Sequence, residues 1–434
     1  MRLLVLIGLL GCGDNLVLEG VNARSGARLK LQYLEYVDGT RQLVRDELFD
    51  AVRDEGCRVV QWSDGFFSCT PAAGHALYAD PECTRELGHV APGEPAPPYF
   101  VHESFVAGTF KPAKLYRRGP LAAPPAATYE LRGGTCSAAR FGPAGTFHEL
   151  GEEVARDALV QTGERSHVVD ERVAVRLAAS GDGVRFPLAL RDRELEIDCR
   201  VDGPNRTSVE CTPVQANDAV FFHDDACTQP ELSAASAPAI AAVQRDGCTS
   251  YHAVGEQVGA APLYRLAPSC TAAVAPPGER LFLVGEQLAL PVLARERGEG
   301  ARLQPILVAG VNDGYLFDRQ HGSDCRPLDI GGVTRCVPHH ALSHPVYADD
   351  TCTTRALVAL VQTRACEPPV QFTIRFFDET FEVYPIEGAA PSVYTASTGD
   401  RCVLYLPPAG FAIRALGAPL PAEAFASAVR VHDP

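Results

Sequence analysis

The sequence predicts an all-β protein built from tandem repeats, and two kinds of observation support this. Apolar residues alternate at period two in short stretches such as 371–376 and 380–384, a pattern typical of β-strands. The chain also contains 38 Gly and 34 Pro, so turns are frequent and long helical patterns are scarce. Segments 45–53 and 421–429 are the best candidates for short helices. We therefore expect an all-β chain with few helical turns.

Three copies of one unit follow each other along the chain. Each copy has a turn signal, then a cysteine pair ending in Cys-x-Pro, then an aromatic and acidic segment before a third cysteine. The spacing agrees, since both Cys57 to Cys199 and Cys69 to Cys211 span 142 positions. A fixed period of this kind indicates a repeat architecture. The turn signals are 37–39, 181–183 and 312–314, the pairs are Cys57 with Cys69, Cys199 with Cys211 and Cys325 with Cys336, and the third cysteines are Cys83, Cys227 and Cys352.

Each cysteine pair is predicted to close a β-hairpin. Turn-forming residues lie midway between the two cysteines, and strand-like residues flank them on both sides. We therefore expect the two cysteines to face each other directly, because opposed residues of an antiparallel pair lie within disulfide range. A disulfide that closes a loop of this size stabilises the fold by about 3 kcal/mol on the chain-entropy model.

The remaining cysteines leave more than one pairing open. Local pairs are Cys227 with Cys248 and Cys352 with Cys366, while Cys83 is expected to pair with Cys136 because its copy has no equivalent of Cys248. Cys270 and Cys402 would then bond across copies or stay reduced. Sequence spacing alone does not fix disulfide connectivity.

The N-terminus has the form of a bacterial lipoprotein signal. A basic Arg2 precedes the apolar run 3–10, and Gly11 and Cys12 follow. The run is too short to span a bilayer but matches the apolar region of a signal peptide. We predict a signal peptide over 1–11, lipid attachment at Cys12 and a tether over 12–24. Removing Cys12 from the 15 cysteines leaves an even number, which indicates an oxidising, extracytoplasmic compartment.

Repeat boundaries are placed at 25–160, 161–296 and 297–434. The favoured architecture is a closed ring, a β-propeller of about six blades with two per copy, because radial repetition removes most sheet edges. The alternative is three consecutive β-sandwich or barrel domains. No flexible linker separates the copies, which favours the ring.

Charge and motifs restrict the chemistry. A formal net charge of -15 argues against nucleic acid as a partner. His339, His340 and His344 form the tightest histidine cluster, but they are interpreted as a loop because no helix fixes their spacing for a metal. The repeated acids Asp80, Asp224 and Asp349 are interpreted as turn caps rather than calcium ligands. No catalytic motif is present, and neither a metal nor a cofactor is predicted.

The lipobox, the Cys-x-Pro pairs and the Tyr-Ala-Asp-x-x-Cys-Thr segments together resemble uncharacterised Cys-rich tandem-repeat lipoproteins of the myxobacterial type. That resemblance implies a surface lipoprotein of the bacterial cell envelope, anchored in the outer membrane, and supplies no catalytic residues. We expect a non-enzymatic binding or structural scaffold with a protein or glycan ligand. The alternative is a secreted hydrolase whose site is built from loops at one end of a propeller.

Overall fold

The structure is a computed structural model that describes residues 23–434 apart from short internal gaps. The described residues form 37 β-strands and two short 3₁₀ helices, Arg156–Ala158 and Ala422–Ala424, with no α-helix among them. The all-β prediction is therefore confirmed, but segment 45–53 is not helical, since residues 45–50 continue a strand. The gaps are 107–108, 133, 140–143, 202–205, 235–238, 246–247, 260–261, 267–269, 276–278, 343–345, 364–369, 378–379, 398–400 and 408–410.

The strands alternate between three sets of four, which we call the ring strands, and three inserts that follow them. The first set with its insert is β1 (Leu29–Tyr36), β2 (Arg41–Asp50), β3 (Glu55–Gln61), β4 (Phe67–Pro71), then β5 (Gly74–Tyr78), β6 (Glu86–Val90), β7 (Tyr99–Val106), β8 (Thr109–Ala122), β9 (Tyr129–Arg132), β10 (Thr135–Ala138) and β11 (Thr146–Glu153).

A linking strand leads to the second set and its insert. These are β12 (Gln161–Val168), β13 (Val173–Ser180), β14 (Arg185–Asp192), β15 (Ile197–Val201), β16 (Ser208–Pro213), then β17 (Asn217–Asp218), β18 (Phe221–Phe222), β19 (Pro230–Ala234), β20 (Ile240–Arg245), β21 (Cys248–Val258), β22 (Leu263–Leu266), β23 (Cys270–Ala273) and β24 (Arg280–Gln287).

The third set is built in the same way and ends in the last strand of the chain. Its strands are β25 (Val292–Arg297), β26 (Leu303–Val308), β27 (Val311–Asp318), β28 (Ser323–Ile330), β29 (Val333–Pro338), then β30 (His340–Leu342), β31 (Val358–Gln362), β32 (Phe372–Phe377), β33 (Thr380–Ala389), β34 (Tyr394–Ser397), β35 (Arg401–Leu404), β36 (Phe411–Leu416) and β37 (Ala428–His432).

The ring strands of all three repeats lie in one hydrogen-bonded order of 15 strands, running from β29 back to β1 and then to β37. Linking strands β12 and β25 each pair with the repeat before and the repeat after them. The last strand, β37, pairs with β1 and also meets β29 through a bridge between Ser427 and Arg335. Because neighbouring repeats share hydrogen bonds, this order does not show separate propeller blades, and the barrel or sandwich alternative stays a prediction.

The first hairpin of every repeat carries a β-bulge in its second strand. In the first repeat, four residues of β2 lie opposite the single residue Gln32 of β1. In the second repeat, β14 has one extra residue relative to β13. In the third repeat, three residues of β27 lie opposite the single residue Ile306 of β26. A bulge bends a strand and redirects its side chains. The second strands meet one another at the bulges, where Gln42 and Arg45 donate hydrogen bonds to the carbonyls of Gly314 and Asp313.

Three buried clusters join each repeat to the next. The cluster around Cys57 and Cys69 includes Phe186 of the second repeat, and the cluster around Cys199 and Cys211 reaches into the third. The cluster around Cys325 and Cys336 contains residues of β1 and β37, at the two ends of the described chain. The core is thus divided among three equivalent contacts between neighbouring repeats.

The hairpin disulfides are present, but the register differs from the prediction. Cys57 bonds Cys69 with their Cα atoms 5.2 Å apart, and the other two hairpins carry equivalent bonds. Cys57 lies opposite Pro71, and Cys69 lies opposite Val59. The cysteines are therefore diagonal neighbours rather than directly opposed, because the twist of the hairpin brings one diagonal pair close.

The insert disulfides correct two predicted pairings. Cys83 bonds Cys136 as expected. The predicted pairs Cys227 with Cys248 and Cys352 with Cys366 are wrong, since the bonds are Cys227 to Cys270 and Cys352 to Cys402. All three inserts thus use the same bond, because equivalent hairpins, β9–β10, β22–β23 and β34–β35, present the second cysteine each time. Cys248 is also disulfide-bonded, and Cys366 lies outside the described residues.

Two of the predicted turn signals dock one repeat onto another. Asp38, in the β1–β2 turn, accepts hydrogen bonds from the backbone N–H groups of Arg302 and Leu303. Asp182, in the β13–β14 turn, does the same for Arg28 and Leu29. Each carboxylate therefore caps the start of a neighbouring repeat's first strand.

The third predicted turn signal is wrong. Residues 312–314 lie inside β27, and the turn between β26 and β27 is formed by Ala309 and Gly310, both at positive φ. No acid is available in that turn, and Asp170 caps the first strand of the second repeat from its own chain segment instead.

Candidate functional site

A groove of about 1010 Å³ separates the first set of ring strands from its insert. This volume lies at the upper end of the range for ligand pockets. We call it the repeat 1 groove. Its ring wall comprises Gln32, Glu47, Phe49, Glu55, Gly56, Cys57, Arg58, Val60, Thr70, Pro71, Arg430, Val431 and His432, and its insert wall comprises Ala72, Ala73, His75, Pro98, Val101, Glu103 and Pro112.

The bulge in β2 places Glu47 between two arginines on the ring wall. Arg58 donates a hydrogen bond to one oxygen of Glu47 at 2.8 Å, and Arg430 contacts the other oxygen. Burial alone raises the pKa of Glu47, but the hydrogen bonds and charges of both arginines outweigh it and hold the pKa below its usual value. Both guanidinium groups stay more than half exposed, so each keeps donors directed to solvent.

An aromatic stack lies beside this charged group. The rings of Phe49 and His432 are 4.0 Å apart and almost parallel, with an interplanar angle of 5°. His432 is exposed at the C-terminal end of β37, and its Nδ1 donates to the carbonyl of Asp433 at 2.9 Å. The stack depends on the pairing of β37 with β1, because its two residues come from strands at opposite ends of the chain.

The equivalent positions in the other repeats hold different groups. In the third repeat, Phe317 takes the place of Phe49, and the guanidinium of Arg297 lies 3.4 Å from its ring centroid. In the second repeat the equivalent residues are Arg191 and Ser166. The stack of two aromatic rings therefore distinguishes the first repeat from the other two.

Two more carboxylates in the groove have cationic partners. Glu55 pairs with Arg53, and the Tyr99 hydroxyl lies 3.3 Å from Glu55 and 2.7 Å from Arg53. On the insert wall, His75 Nδ1 lies 3.1 Å from a Glu103 oxygen. This hydrogen bond, with the nearby carboxylate charge, raises the pKa of His75 despite partial burial.

The place where the three repeats meet is nearly filled. A cavity of about 20 Å³ lies among β2, β14, β15 and the start of β27, with Arg45 and Asp313 in its lining. This is room for about one water molecule.

The histidine cluster does not assemble a site among the described residues. His339 is partly buried, which lowers its pKa to about 4, and the charges of His340 and Arg326 act in the same direction. The Nδ1 atom of His340 lies 2.9 Å from the carbonyl oxygen of Pro338. His344 lies outside the described residues, and no group of potential metal ligands is found within the described part.

The repeated acids act as turn caps in all three inserts. The Asp80 carboxylate accepts hydrogen bonds from the backbone N–H groups of Thr84 and Arg85, and from the Thr84 hydroxyl. These bonds lower the pKa of Asp80, and equivalent bonds lower those of Asp224 and Asp349. The Asp80 carbonyl also accepts from the N–H of Cys83, which has a positive φ of 53°. The caps thus hold the disulfide loops in shape.

Sequence reasoning missed both the groove residues and a repeated ion pair. Arg28 with Asp50, Arg172 with Asp192 and Arg302 with Asp318 occupy equivalent places at the start of the first strand and the end of the second. The signal was available, because the aspartates are spaced by 142 and 126 positions, as are Cys57, Cys199 and Cys325. The dipeptide Cys-Arg also recurs at the first cysteine of each hairpin disulfide, and in the first repeat it contains Arg58.

The fold and groove define a disulfide-bonded, all-β repeat protein with a surface groove between the first set of ring strands and its insert. No helix in the described part of the chain combines the length and apolar character needed to cross a bilayer. The chain belongs to DUF7481, a family of unknown function whose model matches residues 4–425. Comparison with curated proteins and with solved structures found no match.

Proposed function

We propose that this protein is a membrane-anchored binding protein of the bacterial cell envelope, without enzymatic activity, that takes its ligand in the repeat 1 groove. The groove carries the proposal, because exposed arginines, carboxylates and an aromatic stack converge there around about 1010 Å³. The cavity at the centre of the ring strands, at about 20 Å³, leaves no comparable room for a substrate.

The location is inferred from the N-terminus and the cysteines. The basic residue, apolar run and Cys12 support lipid attachment to the outer membrane, although these residues lie outside those described. Six disulfides among the described residues support an oxidising compartment. The anchor would hold the groove within reach of envelope or extracellular ligands.

The scaffold of this binding protein is proposed to be a closed ring with six β units. Three are sets of ring strands, which share one hydrogen-bonded order, and three are inserts, which form separate sheets. The bridge between Arg335 and Ser427 and the hydrogen bond from the Cys336 N–H to the Ala426 carbonyl support closure.

The test uses protein lacking residues 1–12, since all described contacts are made by residues from Ala23 onward. This protein is applied to arrays of glycans and peptides and to a panel of hydrolase substrates. We expect retention without turnover, and loss of retention in Arg430→Glu, which places a second carboxylate beside Glu47. The control is Arg326→Glu, which changes an exposed arginine of the third repeat that does not line the groove. Turnover that is abolished by one acid or histidine substitution would establish the hydrolase alternative instead.

A further inference from the structure

We propose that the ligand of the repeat 1 groove is a neutral oligosaccharide. This inference rests on the proposed binding function and specifies its ligand class. Three properties of the groove lead to it: the pairing of its charges, its aromatic stack and its size.

Each carboxylate of the groove already has a basic partner inside the protein. Glu47 lies between Arg58 and Arg430, Glu55 pairs with Arg53, and Glu103 pairs with His75. An anionic ligand would meet these carboxylates, and a cationic ligand would meet the arginines, so either would disturb existing pairs. A neutral ligand rich in hydroxyl groups avoids this conflict, because a hydroxyl both donates and accepts hydrogen bonds.

The same pairs offer the planar groups that recognise neighbouring hydroxyls. The guanidinium groups of Arg58 and Arg430 keep N–H donors in a fixed fork, while their shared carboxylate supplies acceptors. Two adjacent hydroxyls of a sugar ring match such a fork with two parallel hydrogen bonds. The groove thus presents donors and acceptors side by side.

The stack of Phe49 and His432 supplies an apolar platform beside these polar groups. One face of a pyranose ring is lined by C–H bonds and packs against flat rings of this kind, whereas its hydroxyls project around the edge. Nδ1 of His432 contacts the Asp433 carbonyl, so Nε2 is the ring nitrogen that a sugar hydroxyl can meet at the edge of the platform. A platform with adjacent polar forks fits a sugar better than an apolar side chain.

The size of the groove also fits an oligosaccharide. Its volume of about 1010 Å³ accommodates several sugar units rather than one.

The experiment measures binding by calorimetry with protein lacking residues 1–12. The probes are neutral hexasaccharides of glucose, mannose and N-acetylglucosamine, compared with hexagalacturonate and with Lys-rich and Glu-rich decapeptides. We expect at least one neutral hexasaccharide to bind. Its affinity should change less than about twofold between 50 and 500 mM NaCl, because no ion pair forms with the ligand.

Variants then place the binding in the groove. Phe49→Ala and His432→Ala are each expected to lower the affinity for the hexasaccharide by about tenfold. Phe317→Ala, which removes the equivalent aromatic residue of the third repeat, should leave the affinity unchanged. His432 is exposed, so that variant separates loss of binding from loss of folding. Salt-sensitive binding of hexagalacturonate or a peptide that is lost in these variants would overturn the neutral-sugar inference and leave the binding function standing. Binding that is unchanged in the variants, or no binding by any probe, would overturn both the neutral-sugar inference and the proposed binding function.

Discussion

Arg28 holds the buried carboxylate of Asp50 with two hydrogen bonds, from Nε at 2.8 Å and from Nη2 at 2.6 Å. Asp50 also accepts from the N–H of Val52 in the turn that follows β2. The same arrangement recurs twice, with Asp192 and Asp318, and all three aspartates are almost fully buried. A fork of this kind fixes the entry to the first strand and the exit from the second in every repeat.

We predict that Asp192→Ala lowers the free energy of unfolding by about 3 kcal/mol. The substitution leaves the guanidinium of Arg172 without its carboxylate partner and the turn N–H groups without their acceptor. Urea unfolding followed by circular dichroism measures the change. Glu194→Ala is the matched control, since Glu194 contacts the same arginine but is 70% exposed, and its loss should cost less than about 1 kcal/mol. Equal costs for the two variants would contradict the assigned role of the buried carboxylate.

Peptide mapping under non-reducing conditions tests the disulfide network. We expect peptides joined by Cys83–Cys136, Cys227–Cys270 and Cys352–Cys402, in addition to the three hairpin bonds. The physical reason is that each insert presents its second cysteine from an equivalent hairpin. Recovery of a peptide joining Cys227 to Cys248 would refute the common geometry of the inserts.

The hairpin bonds were predictable from sequence because their cysteines are 11 or 12 residues apart with turn formers between them. Their diagonal register was not, since hairpin twist leaves no mark in the spacing. The insert bonds join cysteines 43 to 53 residues apart, and the nearer Cys248 suggested the wrong partner for Cys227.

The groove was beyond sequence reasoning for a similar reason. Glu47 and Arg430 are 383 positions apart, as are Phe49 and His432. They meet only because β37 returns to pair with β1, and no local motif records that return. Repetition predicted the scaffold, whereas the groove depends on where the first repeat departs from the other two.

Glu231 is an ionisable residue at a position where the first insert has an apolar one. It pairs with Phe221 across the sheet as Leu87 pairs with Leu77. Glu231 is fully buried, one oxygen lies 3.0 Å from His223 Nδ1, and the other has no hydrogen-bond partner. We predict that Glu231→Leu raises the free energy of unfolding by about 1–3 kcal/mol, because leucine removes an unsatisfied buried oxygen at similar volume.

The reciprocal substitution provides the control for Glu231. Leu87→Glu buries a carboxylate in the first insert without an equivalent of His223, and it should lower the free energy of unfolding by several kcal/mol. Both variants are measured by urea unfolding. A destabilised Glu231→Leu would show that the buried carboxylate contributes net stability through His223.

Lipid attachment is tested at Cys12. We expect metabolic labelling with palmitate to depend on this residue, because its thiol would carry the lipid, so Cys12→Ser should abolish the label and release the protein from the membrane fraction. Cys248→Ser is the control that removes a cysteine distant from the signal. Persistent labelling of Cys12→Ser would contradict the proposed anchor.

His339 links stability to pH in the acid range. Its pKa in the folded chain is about 4, mainly because burial disfavours the imidazolium, whereas the unfolded chain has the ordinary value of about 6.5. Below pH 6.5 the unfolded chain therefore binds a proton that the folded chain refuses, so the free energy of unfolding falls as pH drops from 6.5 to 4. Below pH 4 both states are protonated and this contribution becomes constant.

We predict that His339→Gln reduces the slope of the free energy of unfolding against pH between pH 4 and 6.5, measured by urea unfolding at intervals of half a pH unit. His432→Gln, at an exposed histidine, is the control and should leave that slope unchanged. An unaltered slope in His339→Gln would show that other groups govern the acid sensitivity.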